Sequence, residues 1–338
     1  MSSLIVEISR IESISAHPNA DALELAQIKG WQCCVPKGRH QVGELVTYIP
    51  IDAVLPLEHS DRWGITKYLS NGRVRCARLR GEPSFGVIIE REDPAWGEGL
   101  DVAAHYGITK YEPPFKADAG DSEPEHPLFA RYTDIENLRN FPEILEAGEP
   151  VLATEKIHGT SCRVGCLEGT LVAGSKQLQR KRPEEEAAWA TATYWSPLTL
   201  PAVRTLLETL GRDHRQVILF GEVFGKGVQS LHYGQKSIAF RAFDLLIDGK
   251  YLGVDGFRSV CAEYGVETVP SLYEGPFSLE AIVQVSVGNT VLGDEHIREG
   301  VVIRPLTERT DPKIGRVCFK YLSDDYLFGK GISDSTDR

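Results

Sequence analysis

Thr154-Glu155-Lys156-Ile157-His158-Gly159-Thr160 is the stretch on which the reading of this chain turns. It follows an apolar run, Pro150-Val151-Leu152-Ala153, so a lysine stands where a strand ends and a turn begins. The pattern Lys-x-His-Gly is short, and chance supplies such patterns often. Three other residues give it meaning. Glu222 sits in the strand-like run Phe220-Gly221-Glu222-Val223. Glu299 precedes Val301-Val302-Ile303, and Lys320 lies inside Cys318-Phe319-Lys320-Tyr321.

The whole sequence sets bounds on what these residues can do. Its 338 residues are enough for two domains. No apolar run approaches the ~20 residues that span a bilayer. The first residues, Met1 to Glu7, lack the basic and apolar regions of a secretory signal, which makes a cytoplasmic location the expectation. Seven cysteines, scattered and without paired spacing, read as reduced thiols rather than zinc ligands. A net charge of -11 argues against coating nucleic acid by bulk attraction, and leaves room for a local basic groove that meets an end.

Along the chain, residues 1–105 read as β-rich. Leu23 to Ile28 alternates with period two, and Trp31 to Val35, Leu45 to Ile49, Val74 to Leu79 and Phe85 to Ile89 follow between glycines. Short strands with glycine turns indicate a small barrel or a sandwich. Residues 106–130, with Pro113-Pro114 and Ala119-Gly120-Asp121-Ser122, read as a linker, 131–330 as a second domain and 331–338 as a tail. In the second domain Asp134 to Arg139 is expected to be a short helix. Strands are expected at Val151 to Lys156, Ser161 to Leu167, Thr170 to Ala173, Val217 to Val223, Ile238 to Ile247, Val301 to Arg304 and Arg316 to Tyr321. Tight turns fall at Glu168-Gly169 and Asp248-Gly249. Helices are expected to open at Pro183-Glu184-Glu185-Glu186, to run from Leu200 to Leu210 with Gly211 closing the turn, and to recur near Phe257 to Tyr264 and Leu279 to Val287.

Lysine, glutamate, glutamate and lysine in that order resemble the covalent lysine nucleotidyltransferases, and among them the ATP-dependent RNA ligases. His158 stands where DNA ligases and capping enzymes usually carry Asp, and Ser161 where they carry Arg. Tyr132-Thr133-Asp134-Ile135-Glu136-Asn137-Leu138 also resembles RNA ligases. The resemblance implies an α+β fold: an N-terminal OB-like β-barrel, then an adenylyltransferase domain of antiparallel sheets flanked by helices. It implies ATP and a divalent metal, Mg or Mn, as cofactors, and RNA with 3′-OH and 5′-phosphate ends as partner. No membrane contact is expected, since no apolar run is long enough to span a bilayer, and no protein partner is inferable from the sequence. Two other readings remain open at this point. One is a DNA ligase or capping enzyme. The other is a non-catalytic RNA- or tRNA-binding protein, because His17-Pro18-Asn19-Ala20-Asp21-x-Leu23 also resembles tRNA-binding OB domains.

The same resemblance assigns roles. Lys156 is the nucleophile that takes AMP, and its amine must be neutral to attack, against an ordinary pKa of ~10.4. Glu155, Ile157 and Gly159 are expected at the nucleotide, with Arg163 and Lys176 at its phosphates or at the RNA 5′-phosphate. Glu222 suits ribose hydroxyls, and Phe243 the adenine face. Glu222 and Glu299 are the expected metal carboxylates, since Mg²⁺ and Mn²⁺ favour oxygen and keep water. Lys320 is expected at the α-phosphate. Many relatives have Lys-x-Lys there, and Cys318 stands in the first place, with Lys313 and Arg316 as its possible substitutes. Arg73, Arg75, Arg78 and Arg80 crowd one strand and are the expected RNA contacts of the first domain, with Trp31, Trp63 and Tyr68 available to stack on bases. The competing reading is a solvated arginine face over a tryptophan core.

Overall fold

The computed structural model describes residues 4–112, 121–293 and 296–328. Pro113-Pro114, Ala119-Gly120 and the expected tail 331–338 lie outside them. The described residues form two compact units. The first holds 4–112 together with 136–144 and 324–328, and the second holds 121–135 with 145–323. No single cut in the sequence separates them.

The first unit is a five-stranded antiparallel sheet. Glu7–Ala16 runs through its middle, paired with Leu23–Ile28 on one side and Leu45–Ile49 on the other. Trp31–Pro36 and Val87–Glu90 form its edges. The register of Glu7–Ala16 slips between Ile11 and Ser13, and such a bulge bends a strand and deepens its twist. Ile8, Ile49, Val74 and Tyr106 pack the interior. Trp31 is buried and donates its indole N–H to Asn140, and Trp63 packs against the core. Of the three aromatic residues expected at bases, Tyr68 alone stands well into solvent.

The arginine run departs from one continuous strand. Only Ala77–Leu79 is extended, paired with Glu82–Ser84 as a hairpin. Arg73 is turned inward, donating to Asp52 at 2.8 Å and stacking 3.8 Å over Tyr111. Arg78 and Arg80 stay exposed on the hairpin, whose tip, Arg80-Gly81, has positive φ at both residues (51° and 98°). The His17-Pro18-Asn19 stretch holds this tip. The His17 ring bonds to the Leu79 carbonyl at 2.9 Å and the Asn19 amide donates to the Arg80 carbonyl at 3.1 Å.

The second unit has two antiparallel sheets. One places Ser271–Pro276, Pro150–Lys156, Gly300–Pro305 and Phe319–Leu322 side by side. The other orders Gln179–Arg180, Thr170–Ser175, Thr160–Leu167, Gln216–Gly225, Ile238–Ile247 and Lys250–Tyr251. Ile157-His158-Gly159 carries the chain from one sheet to the other. Helices Pro201–Leu210 and Val254–Tyr264 cover one face of the second sheet. Val203, Leu206 and Leu207 recur at helical spacing there and bury fully against Val217, Leu219 and Phe257. Each such burial stabilises the fold by ~1.5–3 kcal/mol.

Several expected elements differ in detail. Asp134 to Arg139 is not an α-helix. Glu136–Asn137 is extended and Leu138–Asn140 is a 3₁₀ turn, because the Asn137 side chain accepts the Arg139 N–H and starts the turn itself. The helix expected from Pro183 is the 3₁₀ segment Glu186–Thr191, whose N-terminus has no side-chain cap. Gly211 does close its helix, at φ -66° rather than in the left-handed region. Its reason is space, since a Cβ there would lie 2.4 Å from Cys166 Sγ.

Gly221 shows the same constraint beneath the site. A Cβ would sit 2.3 Å from the Phe240 ring and 2.5 Å from the Arg241 carbonyl. Gly221→Ala should therefore destabilise the protein by about 1–3 kcal/mol. Gly97→Ala, with nothing within 4 Å, should stay within about 0.5 kcal/mol. Thermal melts of the two variants beside the parent check this. Equal melting temperatures would mean the sheet opens at little cost.

Candidate active site

The two sheets of the second unit enclose a cleft with about 920 Å³ of empty space out to its mouth. Its floor is the Pro150–Lys156 strand with its neighbours. Side chains alternate across a strand, so Leu152, Thr154 and Lys156 face one way. Pairing sets Thr154 beside Val302 and Leu152 beside Arg304, and Val302 in turn beside Lys320. On the other side Thr154 pairs with Ser271. The opposite wall carries Ser161 and Glu222, which are paired residues of adjacent strands. Phe243 joins this wall by a register slip. Phe220 pairs with Asp244 and Gly221 with Ala242, which leaves Phe243 as the extra residue, turned into the cleft.

Lys156 Nζ lies 2.9 Å from Glu299 Oε1, with the carboxylate almost fully buried at 1% exposure. His158 Nδ1 lies 3.5 Å from the other oxygen of the same carboxylate. The strand register explains the meeting: Lys156 pairs with Gly300, the residue after Glu299. Glu155, one residue back, accepts the Val291 N–H at 3.0 Å and lies 3.8 Å from Arg298. Gly159 is needed for closeness rather than for a left-handed turn, because a Cβ would stand 2.3 Å from the Val223 carbonyl and 2.9 Å from Glu222 Cγ. Burial, then the charge of Glu299, pushes the nearby Tyr233 phenol well above its usual pKa.

The RNA ligase family profile matches residues 149–322, which include the strands of the cleft floor from Pro150–Lys156 to Phe319–Leu322. The chain belongs to the RNA ligase family. An OB-fold domain profile matches residues 5–90, which identifies the first sheet of this ligase as an OB fold. A mutant of Naegleria gruberi RNA ligase solved with ATP and Mn is 26% identical, with a TM-score of 0.79 over 96% of this chain and 98% of that one. Naegleria gruberi RNA ligase with PPi is 25% identical, with a TM-score of 0.78 over 97% and 98%. No curated protein matches. The family decides between the readings open in the sequence: this is an RNA ligase rather than a DNA ligase, a capping enzyme or a non-catalytic binding protein.

The ligase brings most of the expected residues to one cleft. Lys156, Glu155, Ile157, Lys176, Glu222 and Phe243 line it. Glu299 stands behind Lys156, and Gly159 behind Glu222. Lys176 is buried on the wall and held 3.3 Å from Asp134. Arg163 is not on the wall. Its guanidinium lies deeper in the sheet, donating to the carbonyls of Ser175 (2.9 Å) and Phe129 and to Glu125. Lys320 is buried opposite Val302, and at its strand the wall is Cys318. Burial pushes the Cys318 thiol up, against the pull of Arg316 and Arg304, so a neutral thiol stands on this part of the wall. Arg316 does not take that place. It donates to Asp244 at 2.6 Å and to Glu308 at 2.7 Å, away from the wall. Lys313 is exposed near Asp311, to which its backbone N–H donates at 2.7 Å.

Arg304 is one of two cleft cations that sequence reasoning missed, with Arg258. It is buried on the wall, 3.2 Å from Asp244, in a geometry that makes no hydrogen bond at Nη1. Its signal was present: Val302 and Arg304 share the face of Gly300 by period two. Arg258, Thr268 and Ser271 also line the cleft, from a helix and a strand whose pairing nothing local announces. Among the described residues no three His, Cys, Asp or Glu side chains gather as a metal cluster. No helix is long and apolar enough to cross a membrane among the same residues.

Asp244 is fully buried and serves Arg304, Arg316 and the Tyr132 hydroxyl, which donates at 2.9 Å. Asp244→Asn removes the fully buried one of the two carboxylates, Asp244 and Glu308, that face Arg304 and Arg316, and should cost about 3–5 kcal/mol. Tyr132→Phe removes one neutral donor and should cost about 1 kcal/mol. Urea unfolding of both variants checks the order. An Asn variant as stable as the parent would show the charges are paired elsewhere.

Proposed function

We propose that this RNA ligase seals 3′-OH and 5′-phosphate ends through AMP carried on Lys156, with ATP as donor and Mg²⁺ or Mn²⁺ as cofactor. The observation that supports it most is the Lys156–Glu299 pair at 2.9 Å on the floor of a cleft whose opposite wall is Glu222 and Phe243. Lys156 Nζ attacks the α-phosphorus, the bond to the β-phosphate oxygen breaks, and pyrophosphate leaves. A 5′-phosphate oxygen then displaces the lysine and forms a 5′-5′ pyrophosphate. Last, the 3′-hydroxyl attacks that end, the phosphodiester forms and AMP leaves.

Each wall has a part in this. Phe243 and Val302 face the cleft from opposite sheets and suit the two faces of adenine. Glu222 suits the ribose hydroxyls. Lys176 offers charge to phosphate once Asp134 yields it. Glu299 and Glu222 would hold a metal: two carboxylates without a third ligand suit an ion that keeps most of its water and shares phosphate oxygens. Such an ion supplies positive charge to the α-phosphate and competes for Glu299, the carboxylate that holds the Lys156 ammonium. Both effects would act toward the neutral amine that attack requires. The Naegleria gruberi structures with ATP and Mn and with PPi support the choice of donor and metal.

RNA contact by the OB unit rests on Arg78 and Arg80, with Arg75 beside them. Arg73 contributes less, its charge being taken by Asp52. The Arg80 side chain has no partner among the described residues. Phosphate is the expected target, because an exposed arginine fork suits its oxygens.

Two outcomes are expected. Incubation with ATP and Mg²⁺ or Mn²⁺ should add one AMP to the intact mass, and Lys156→Ala should add none. An adduct on the Ala variant would move the nucleophile elsewhere. Replacing Arg78 and Arg80 together by Ser should weaken sealing of nicked RNA and lower its salt slope by about one to two. An unchanged slope would remove the hairpin from the RNA interface.

A further inference from the structure

The loop between Gln216–Gly225 and Ile238–Ile247 contains a turn with the wrong residue in it. The His232 carbonyl accepts the Gln235 N–H at 2.9 Å, and the two central residues, Tyr233 and Gly234, have φ of 53° and 67°. Positive φ at both centres is the pattern of a type I′ turn, where Asn, Asp or Gly normally stands first. A bulky aromatic residue at positive φ is a genuine outlier, costing on the order of 1–2 kcal/mol. Nothing in the turn itself asks for Tyr.

The side chain reaches elsewhere. Tyr233 is buried, and its hydroxyl oxygen accepts the His158 N–H at 2.6 Å. Its ring lies in one apolar cluster with Ile157, Phe224 and Val269, edge-on to Phe224 at 5.4 Å. Thus one strained residue touches both positions that follow the nucleophile: the side chain of Ile157 and the backbone of His158. Ser230, from the same loop, adds a second point, with its Oγ 3.2 Å from His158 Nε2. Gly293 makes room, since a Cβ there would sit 3.0 Å from the Tyr233 carbonyl.

We propose that Tyr233 and Ser230 form a clamp that sets the His158-Gly159 turn and, through it, the direction of Lys156. They are positioning residues and touch no reacting atom. The His158 N–H is a buried donor directly beside the site, and its hydrogen bond to the Tyr233 oxygen fixes the orientation of its peptide plane. Rotation of that plane moves Lys156 on one side and Gly159, with Glu222 packed on it, on the other. Strain kept at such a point is a mark of function rather than of folding. The histidine in this chain's Lys-x-His-Gly is part of the same device. Its ring meets Ser230 Oγ at Nε2, and Nδ1 lies 3.5 Å from Glu299 Oε2.

The inference rests on Lys156 as the nucleophile, and the experiment separates the two. Single-turnover formation of the AMP adduct is followed by intact mass across ATP concentrations for the parent, Lys156→Ala, Tyr233→Phe and Ser230→Ala. Tyr233→Phe keeps the ring, its packing and its backbone strain, and removes one oxygen. Its maximal rate at saturating ATP should fall about 5- to 100-fold, while the half-saturating ATP concentration moves by roughly twofold or less. Ser230→Ala should show the same split with a smaller loss. Melting curves give the folded fraction of each. A parent that forms adduct beside a Tyr233→Phe of equal maximal rate overturns the clamp alone. So does a loss that merely follows the folded fraction, or one confined to ATP affinity. A parent that forms no adduct overturns the nucleophile and the clamp together.

Discussion

The site depends on one register. The Pro150–Lys156 strand pairs with Gly300–Pro305 so that Lys156 meets Gly300, and Glu299 therefore arrives beside the lysine amine. A slip of one residue would turn Leu152, Thr154 and Lys156 to the other face of the sheet. Gly300 keeps the register tight, since a Cβ there would strike the Tyr321 carbonyl at 2.1 Å. Every other element of the cleft is placed relative to this pair. The second sheet begins four residues beyond Lys156, and its Glu222 is packed on Gly159.

A protein of net charge -11 must gather cations locally if it is to handle nucleotide and RNA phosphates. It does so by burying them with partners. Lys156 has Glu299, Lys176 has Asp134, and Arg304 has Asp244. A lone buried charge is costly, so each cation comes with a carboxylate partner. Arg163 and Arg316 show the other use of the same chemistry. Their guanidinium groups are fully engaged by carboxylates and carbonyls, and they brace the sheets rather than face the cleft.

Turn chemistry divides along the same line between folding and function. Glu168-Gly169 and Asp248-Gly249 have positive φ at both residues and join neighbouring strands, as their sequences indicate. Tyr233-Gly234 has the same backbone with a residue the turn does not favour, and its side chain reaches the loop that follows Lys156. Arg80-Gly81 repeats the pattern in the OB unit, where the His17 and Asn19 side chains support a tip that carries charge into solvent.

The sequence by itself determined the class of fold, the strand that carries Lys156, the order of Glu222, Glu299 and Lys320, and the family. The strands rest on local alternation and turn residues, and the fold class and family rest on the resemblance carried by the motif order, none of which needs knowledge of what lies across the sheet. Helix Pro201–Leu210 was legible for the same reason, its apolar residues repeating every three to four positions. Only the tertiary structure decided which cations face the cleft. Arg163 and Arg304 look alike in sequence, each on a strand near a motif. One is sealed among carbonyls, and the other is on the wall, because pairing sets Arg304 beside Leu152 and nothing local to either residue records that. The extra residue that turns Phe243 inward and the reach of Tyr233 to His158 were decided the same way, since each depends on how two distant strands meet.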